Sequence, residues 1–306
     1  MKIKIVAIVG PTGVGKSQFA LELAQRIDGE IVVADSVQVY RYLNIGTAKP
    51  TPQERALIPH HLIDIIDPDK NFSAGQFRVM AEKVITSIHE KKKKILVCGG
   101  TGLYVKLLIR GLFSDSEGSE TLRQRLRDQE AQEGEGYLYE QLKKVDPASA
   151  ARIHPHDMFR IIRALEISYL TGVPIFRHHS HHAFQDVRYE YVQIGISMDR
   201  ALLYDRIDQR CDQMMEEGFL DEVRSLLARG YHAGLKSMQS LGYRHLCAYL
   251  AGQTTLEEAV KTMKRDTRRF AKRQLTWFRA DPGIVWINEP IKNFREVEAL
   301  LKVFFA

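Results

Sequence analysis

The chain has 306 residues, 44% of them hydrophobic and 27% charged, with a net charge of +6. That is a globular composition for roughly two domains, or for one large α/β domain with an insertion, and its mild basicity allows a polyanionic partner without requiring one. Three scattered cysteines without a C-x-x-C pair suggest neither a thiolate zinc site nor a disulfide framework and point to a reduced, cytoplasmic compartment.

The opening MKIKIVAIVG imitates a signal peptide, but its apolar run leads straight into a glycine-rich loop and no cleavage site follows. Ile3 to Val9 is apolar and β-branched, which predicts a strand buried on both faces of a parallel sheet. Lys16 to Ile27 has helical spacing, with Phe19, Leu23 and Ile27 on one stripe. IVVAD (31–35) reads as a second buried strand ending in an acid. Ala74 to His89 reads as a helix closed by KKKK (91–94), where positive charge suits a helix C-terminus. ILVCGG (95–100) is a third buried strand, and Tyr104 to Ile109 continues as helix. Strand, glycine turn and helix in repetition predict an open α/β sheet. SDSEGSE near residue 114 predicts a boundary, and 120–170 are helical in pattern. VRYEYVQIGISMD (187–199) predicts a return to the sheet, followed by helices to about 278 and a last short strand at VWINEP. The expected organisation is a core over 1–115, a helical insertion over 116–186 and the rest of the core over 187–306. No run approaches the roughly 20 apolar residues that span a bilayer.

GPTGVGKS (10–17) fits G-x-x-x-x-G-K-[ST], and it has the strand before and the helix after that the pattern needs. Successive backbone N–H groups and the helix dipole would cradle a phosphate, with Lys16 on the outer phosphate and Ser17 on Mg²⁺. Asp35 opens DSVQVY, with Ser36, Gln38 and Tyr40 at spacing two on the ligand-binding edge of the sheet. It could hold a metal, act as a base, accept from an amine or cap a turn. In GGTGLY (99–104) Thr101 could donate to a phosphate oxygen and also cap the following helix. Arg206 and Arg210 lie one turn apart and could meet a diphosphate or pair with Asp205 and Asp212; Arg160 and Arg163 repeat that spacing. The stretch 261–279 holds eight Lys or Arg and one Asp, with Lys261, Arg265, Arg268 and Lys272 along one face. It reads as a solvated amphipathic helix or as a phosphate-backbone contact. HHSHH (178–182) reads as an exposed loop rather than a metal site.

With GPTGVGKS, DSVQVY, GTAKP (46–50), HHLID (60–64), GGTGLY, DMFRIIRALE and RRFAKRQLTWFR in this order, the chain resembles the tRNA dimethylallyltransferases from about residue 5 to 279. The resemblance implies an α/β fold: a P-loop NTPase-like parallel sheet core flanked by helices, with a helical insertion domain. It implies transfer of a dimethylallyl group from dimethylallyl diphosphate to N6 of the adenine just 3′ of the anticodon in certain tRNAs, with Mg²⁺ as cofactor. Gly10, Pro11, Thr12, Gly13, Val14, Gly15, Lys16 and Ser17 would then hold a diphosphate that is the leaving group, with the metal at Ser17 and Arg210 beside it. Lys16, Asp35, Thr101 and Arg210 would be the catalytic residues, Asp35 accepting from the adenine amine and helping to remove its proton. The tRNA would meet Asp35, Ser36, Val37, Gln38, Thr101 and Arg123. It would also meet Phe159, Arg160, Ile161, Ile162 and Arg163, and Arg268 and Lys272. The helical insertion would be the mobile part that grips the anticodon arm. The protein is expected to act as a cytoplasmic monomer without a membrane. His245 in QSLGYRH stands where the family commonly has an acid, and the eukaryotic relatives' zinc-finger tail is absent, as in bacterial-type enzymes. The alternatives are an adenylate isopentenyltransferase acting on a free nucleotide, a P-loop small-metabolite kinase, and an RNA-binding module with a vestigial nucleotide site.

Overall fold

A computed structural model of the chain describes residues 2–111, 119–176, 187–288 and 294–305. Backbone packing divides it into two units, Met1–Ile109 with Arg188–Ala306, and Arg110–Val187. The boundary expected near 114 and the histidine run at 178–182 lie outside the described residues.

The first unit is built on six strands: β1 (Lys4–Val9), β2 (Gly29–Val33), β3 (His60–His61), β4 (Lys94–Gly99), β5 (Glu190–Ser197) and β6 (Ile284–Asn288). They form one sheet in the order β3-β2-β4-β1-β5-β6, and every pairing is parallel. The apolar runs read from the sequence are the central strands. Ile5 to Val9 and Ile95 to Val97 are buried because helices cover both faces of such a sheet. Strand ends coincide: Val9 pairs with Gly99 and with Gly195, and Val33 with Cys98. The turns after β1, β2 and β4 therefore open at one carboxyl edge, which is where a ligand site belongs in an open α/β sheet.

The helix after β1, α1 (Lys16–Ile27), has the bounds expected. It is followed by α2 (Pro52–Leu57), α3 (Ala74–Glu90) and α4 (Gly102–Arg110). The lysine run does not simply end α3. Lys91 is its C-cap residue and Lys94 already lies in β4, while Lys91 and Lys93 pair with Glu30 and Asp28.

The second unit contains α5 (Glu120–Glu133), α6 (Tyr137–Val145), α7 (Pro147–Ala150) and α8 (Met158–Thr171), with no strand among the described residues. Leu126, Leu138, Leu142, Ile161 and Leu165 form its core. This corrects one expectation for the segment 159–163. The α8 period turns Ile161 and Ile162 inward, where both are buried, so they cannot present side chains to a nucleic acid. Phe159, on the opposite face, is 84% exposed.

The chain then returns to the first unit through β5 and continues as α9 (Arg200–Glu216), α10 (Phe219–Ala228), α11 (Tyr243–Leu250), α12 (Leu256–Arg279) and, after β6, α13 (Phe294–Phe305).

Candidate active site

The glycine-rich loop turns through two left-handed positions, Gly13 at φ +81° and Gly15 at φ +96°, and delivers Lys16 and Ser17 to the first turn of α1. That turn carries no acidic residue and no side-chain cap, so its amides stay open to an anion. Lys16 Nζ donates to the Pro11 carbonyl oxygen at 2.6 Å. Burial lowers its pKa to about 8, with Arg210 pushing the same way and Cys98 and Asp35 opposing. Burial pushes the neighbouring Cys98 thiol up to about 11, so it stays protonated.

A cavity of about 410 Å³ opens over this loop. Thr12, Gly13, Gly15, Lys16 and Ser17 line it, together with Asp35, Gln38, Arg206, Arg210 and Gln274, and Ala20, Ile31, Val33 and Pro50 add apolar wall. Lys16, Arg206 and Arg210 face one carboxylate, Asp35, so the cavity favours an anion. The arginines do not pair with Asp205 or Asp212. Asp212 is taken by Lys264, and among the described residues neither guanidinium has a carboxylate partner. Burial draws the Arg210 pKa below its ordinary value. A guanidinium starts high enough to remain a cation regardless.

Asp35 fills one of the roles left open and lines the cavity. Its Oδ1 accepts from the backbone N–H of Val37 at 2.8 Å and of Gln38 at 3.2 Å, which is a turn cap. Oδ2 makes neither bond and its carboxylate lines the cavity. Gln38 is buried, and its amide donates to the carbonyls of Thr47 and Ala48 at 3.0 and 3.3 Å, holding GTAKP as a cavity wall. Val37 packs on the core. Thr101 accepts from Ser36 N–H at 3.1 Å and stands 3.4 Å from Ser36 Oγ, so it ties the β2 and β4 turns together at the rim.

Several residues of the site carry no local signal. Lys49 of GTAKP is buried and donates to the Tyr40 carbonyl at 2.5 Å and to Asp64 of HHLID at 2.6 Å, and Arg55 holds the other Asp64 oxygen at 2.8 Å. Glu222 accepts from the amides of Asn44, Ile45 and Gly46 and from the Tyr243 hydroxyl at 2.6 Å. Tyr42, Ala48, Leu62 and Asp64 hold left-handed φ values between 44° and 68°. Each costs of order 1–3 kcal/mol, and the bonds from Lys49 and Glu222 hold the wall in that shape. His245 accepts from Gly242 N–H at 3.3 Å and meets Asp266 at 3.2 Å, so it serves the start of α11. Arg268 is paired across helices. It faces Asp208 of α9 at 2.5 and 2.6 Å, whereas Lys272 is exposed.

The lowered Lys16 pKa sets a pH dependence. The protonated ammonium is the form that binds an anion, so affinity for pyrophosphate is expected to hold up to about pH 8. Above the pKa it should fall, by up to about tenfold per pH unit. Calorimetric titration from pH 7 to 10 checks this, and in Lys16→Met the decline should vanish.

A family model described as IPP transferase matches residues 38–281. The chain belongs to the IPP transferase family. It is 49% identical to the tRNA dimethylallyltransferase of Geobacter metallireducens over 291 residues, covering 95% of this chain and 94% of that one. It is 51% identical to the tRNA dimethylallyltransferase of Syntrophobacter fumaroxidans, over 94% of this chain and 84% of that one. Among solved structures, the tRNA isopentenylpyrophosphate transferase of Bacillus halodurans is 44% identical with a TM-score of 0.73, covering 99% of this chain and 97% of that one. A eukaryotic dimethylallyltransferase captured acting on tRNA is 30% identical with a TM-score of 0.81, covering 94% and 74%. The fold is thus that of other IPP transferases, with the parallel sheet and flanking helices expected of a P-loop NTPase-like core. No helix among the described residues is long and apolar enough to cross a membrane.

The donors of this IPP transferase's cavity fit a hard cation. The Ser17 hydroxyl is an oxygen donor at the loop, and the Cys98 thiol stays protonated. Among the described residues no group of three or more His, Cys, Asp and Glu could form a metal site alone.

Proposed function

We propose that this IPP transferase moves the dimethylallyl group of dimethylallyl diphosphate to N6 of the adenine 3′-adjacent to a tRNA anticodon, releasing diphosphate. The observation that carries the reading is the pairing, in one cavity, of a cationic phosphate loop with a single turn-capped carboxylate. The names of the relatives on both sides of the bacterial–eukaryotic divide support the same substrates.

The allylic C1–O bond breaks with its electron pair leaving on the diphosphate, and the N6–C1 bond forms as N6 loses a proton. The allyl cation is delocalised, so charge on the departing oxygens dominates the barrier and fixed donors there are the main lever. The amides of Gly13 to Ser17, the Lys16 ammonium and the Arg210 guanidinium supply them, with Gly10, Pro11, Thr12 and Val14 shaping the turn. Ser17 would hold Mg²⁺, which adds further neutralisation of the diphosphate. Asp35 would accept from the adenine amine and take its proton. Its capping bonds from Val37 and Gln38 fix the carboxylate, and an exocyclic amine is a weak nucleophile for which placement matters. Thr101 and Ser36 would brace the rim where the base enters after leaving its stack.

For the RNA we propose contacts by exposed Phe159, a stacking surface for an unpaired base, and by Arg160. Arg123 and Arg163 converge on Glu166, which is fully buried and bonds them at 2.9 and 2.6 Å. That leaves both guanidiniums preset, with donors to spare for phosphates. In the first unit the exposed Lys272 would touch an RNA phosphate, and Arg268, whose Nη1 is held by both oxygens of Asp208, would contribute less. Lys272→Glu should weaken tRNA binding and lower the salt slope by about one. Arg268→Glu should lower Tm, through loss of the Asp208 pair, with little change in slope. Equal slope changes in the two variants would contradict this division. A tRNA substrate supports a cytoplasmic setting.

The test is incubation with dimethylallyl diphosphate and unmodified tRNA, followed by nucleoside mass analysis. A dimethylallyl increment on adenosine is expected. Label appearing on AMP and not on tRNA would contradict the reading.

A further inference from the structure

Gln274 lies in the charged stretch KRQLTW of α12, yet it is only 8% exposed. Its Oε1 accepts from Thr12 N–H at 2.8 Å and its Nε2 donates to the Gly100 carbonyl oxygen at 2.8 Å. The orientation of the amide is forced, since a backbone N–H only donates and a carbonyl only accepts. The carboxamide packs closely on Gly100, where a Cβ would stand 2.4 Å from Nε2. The carboxamide is thus clamped at both ends against the phosphate loop and lines the same cavity.

We propose that Gln274 makes the loop selective for a diphosphate by occupying the donor that a third phosphate would need. This rests on reading the loop at 10–17 as a diphosphate site. Phosphate loops hold anions through backbone N–H groups. Among the described residues, the amides of Gly13 to Ser17 have no other backbone acceptor and remain for the ligand. A longer phosphate chain must find donors beyond them, and the next amide along the backbone is that of Thr12, since Pro11 has none. Gln274 has already taken it. To yield it, Gln274 would leave its own buried donor and the Gly100 carbonyl to be satisfied elsewhere. Lys16, Arg206 and Arg210 by themselves would favour the more highly charged triphosphate. The carboxamide opposes that preference. Cellular nucleoside triphosphates would otherwise compete for the loop, and a residue on α12 excludes them without touching the reacting carbon.

The experiment is calorimetric titration of the full chain with inorganic pyrophosphate and with inorganic triphosphate, both in excess Mg²⁺. The wild type is expected to bind pyrophosphate more tightly in spite of its smaller charge. Gln274→Met, close in size and without either hydrogen bond, should shift the affinity ratio toward triphosphate by about tenfold. Gln274→Glu keeps an acceptor for Thr12 N–H and adds negative charge, so it should hold the ratio or move it further toward pyrophosphate. A general loss of structure would weaken both ligands together and leave the ratio alone. The proposal is overturned if the wild type binds triphosphate as tightly, if the ratio in Gln274→Met moves by less than about twofold, or if Gln274→Glu moves it toward triphosphate. Should the wild type bind neither anion, the diphosphate reading of the loop falls first, and this inference with it.

Discussion

Lys16→Ala is expected to lower kcat/KM for prenyl transfer by about a thousandfold, the scale found when one preorganised donor to a developing anion is removed. A hydrogen bond to the Pro11 carbonyl, 2.6 Å away, already holds Lys16 at the loop before the diphosphate departs. Burial makes its charge weigh more than it would in water. Arg210 shares the cavity but cannot replace it, because α9 sets its reach while the loop sets that of Lys16. Much of the loss should appear in kcat, since charge on the leaving oxygens grows as the C–O bond breaks. Steady-state kinetics with saturating tRNA check this. A change confined to KM would mean that Lys16 only holds the ground state.

Asp35→Asn is expected to cut kcat by two to four orders of magnitude, on the order of 10³, while leaving pyrophosphate affinity within about twofold. Asparagine keeps an oxygen for the amides of Val37 and Gln38, so the turn survives while the base is lost. Asp35→Ala removes both and should also lower Tm, as loss of a capping acceptor costs about 1 kcal/mol. The pair of variants separates the chemistry from the turn. If Asp35→Asn weakened pyrophosphate and turnover equally, Asp35 would be acting as a metal ligand.

The parts of this protein legible in its sequence are those where local pattern and tertiary role coincide. Strands β1, β2 and β4 are buried on both faces, which favours apolar runs, and α1 begins where the loop spacing ends. β3 has two residues, too few for any period, and exists because His60 and His61 pair with Ile31 and Val32. Of the site, the phosphate loop shows itself through spacing and Asp35 through its position at a strand end. The partners of Gln274 lie 262 and 174 residues away, and nothing local distinguishes it from its charged neighbours.

A glycine-rich motif such as GGTG leaves room for a close approach of other groups. In the structure Gly100 admits Gln274 and Gly102 admits Trp277, while a Cβ at Gly99 would meet the Ala34 carbonyl at 2.0 Å. The motif admits other parts of the protein. Arg268 shows the converse limit. A basic helix face displays its charge in the sequence, but only packing reveals that Asp208 of another helix answers it. Lys49 and Asp64 sat inside quoted motifs without a role until folding brought them together.

The central claim is that the glycine-rich loop grips the group that leaves while Asp35 steers the amine that attacks. A crystal structure with a thiolo analogue of dimethylallyl diphosphate and an anticodon stem-loop tests it most directly. The account predicts the diphosphate on the amides of Gly13 to Ser17, with Lys16 and Arg210 on its oxygens, and the target N6 about 3 Å from Asp35. A diphosphate seated away from that loop, or an adenine amine out of reach of Asp35, would contradict it.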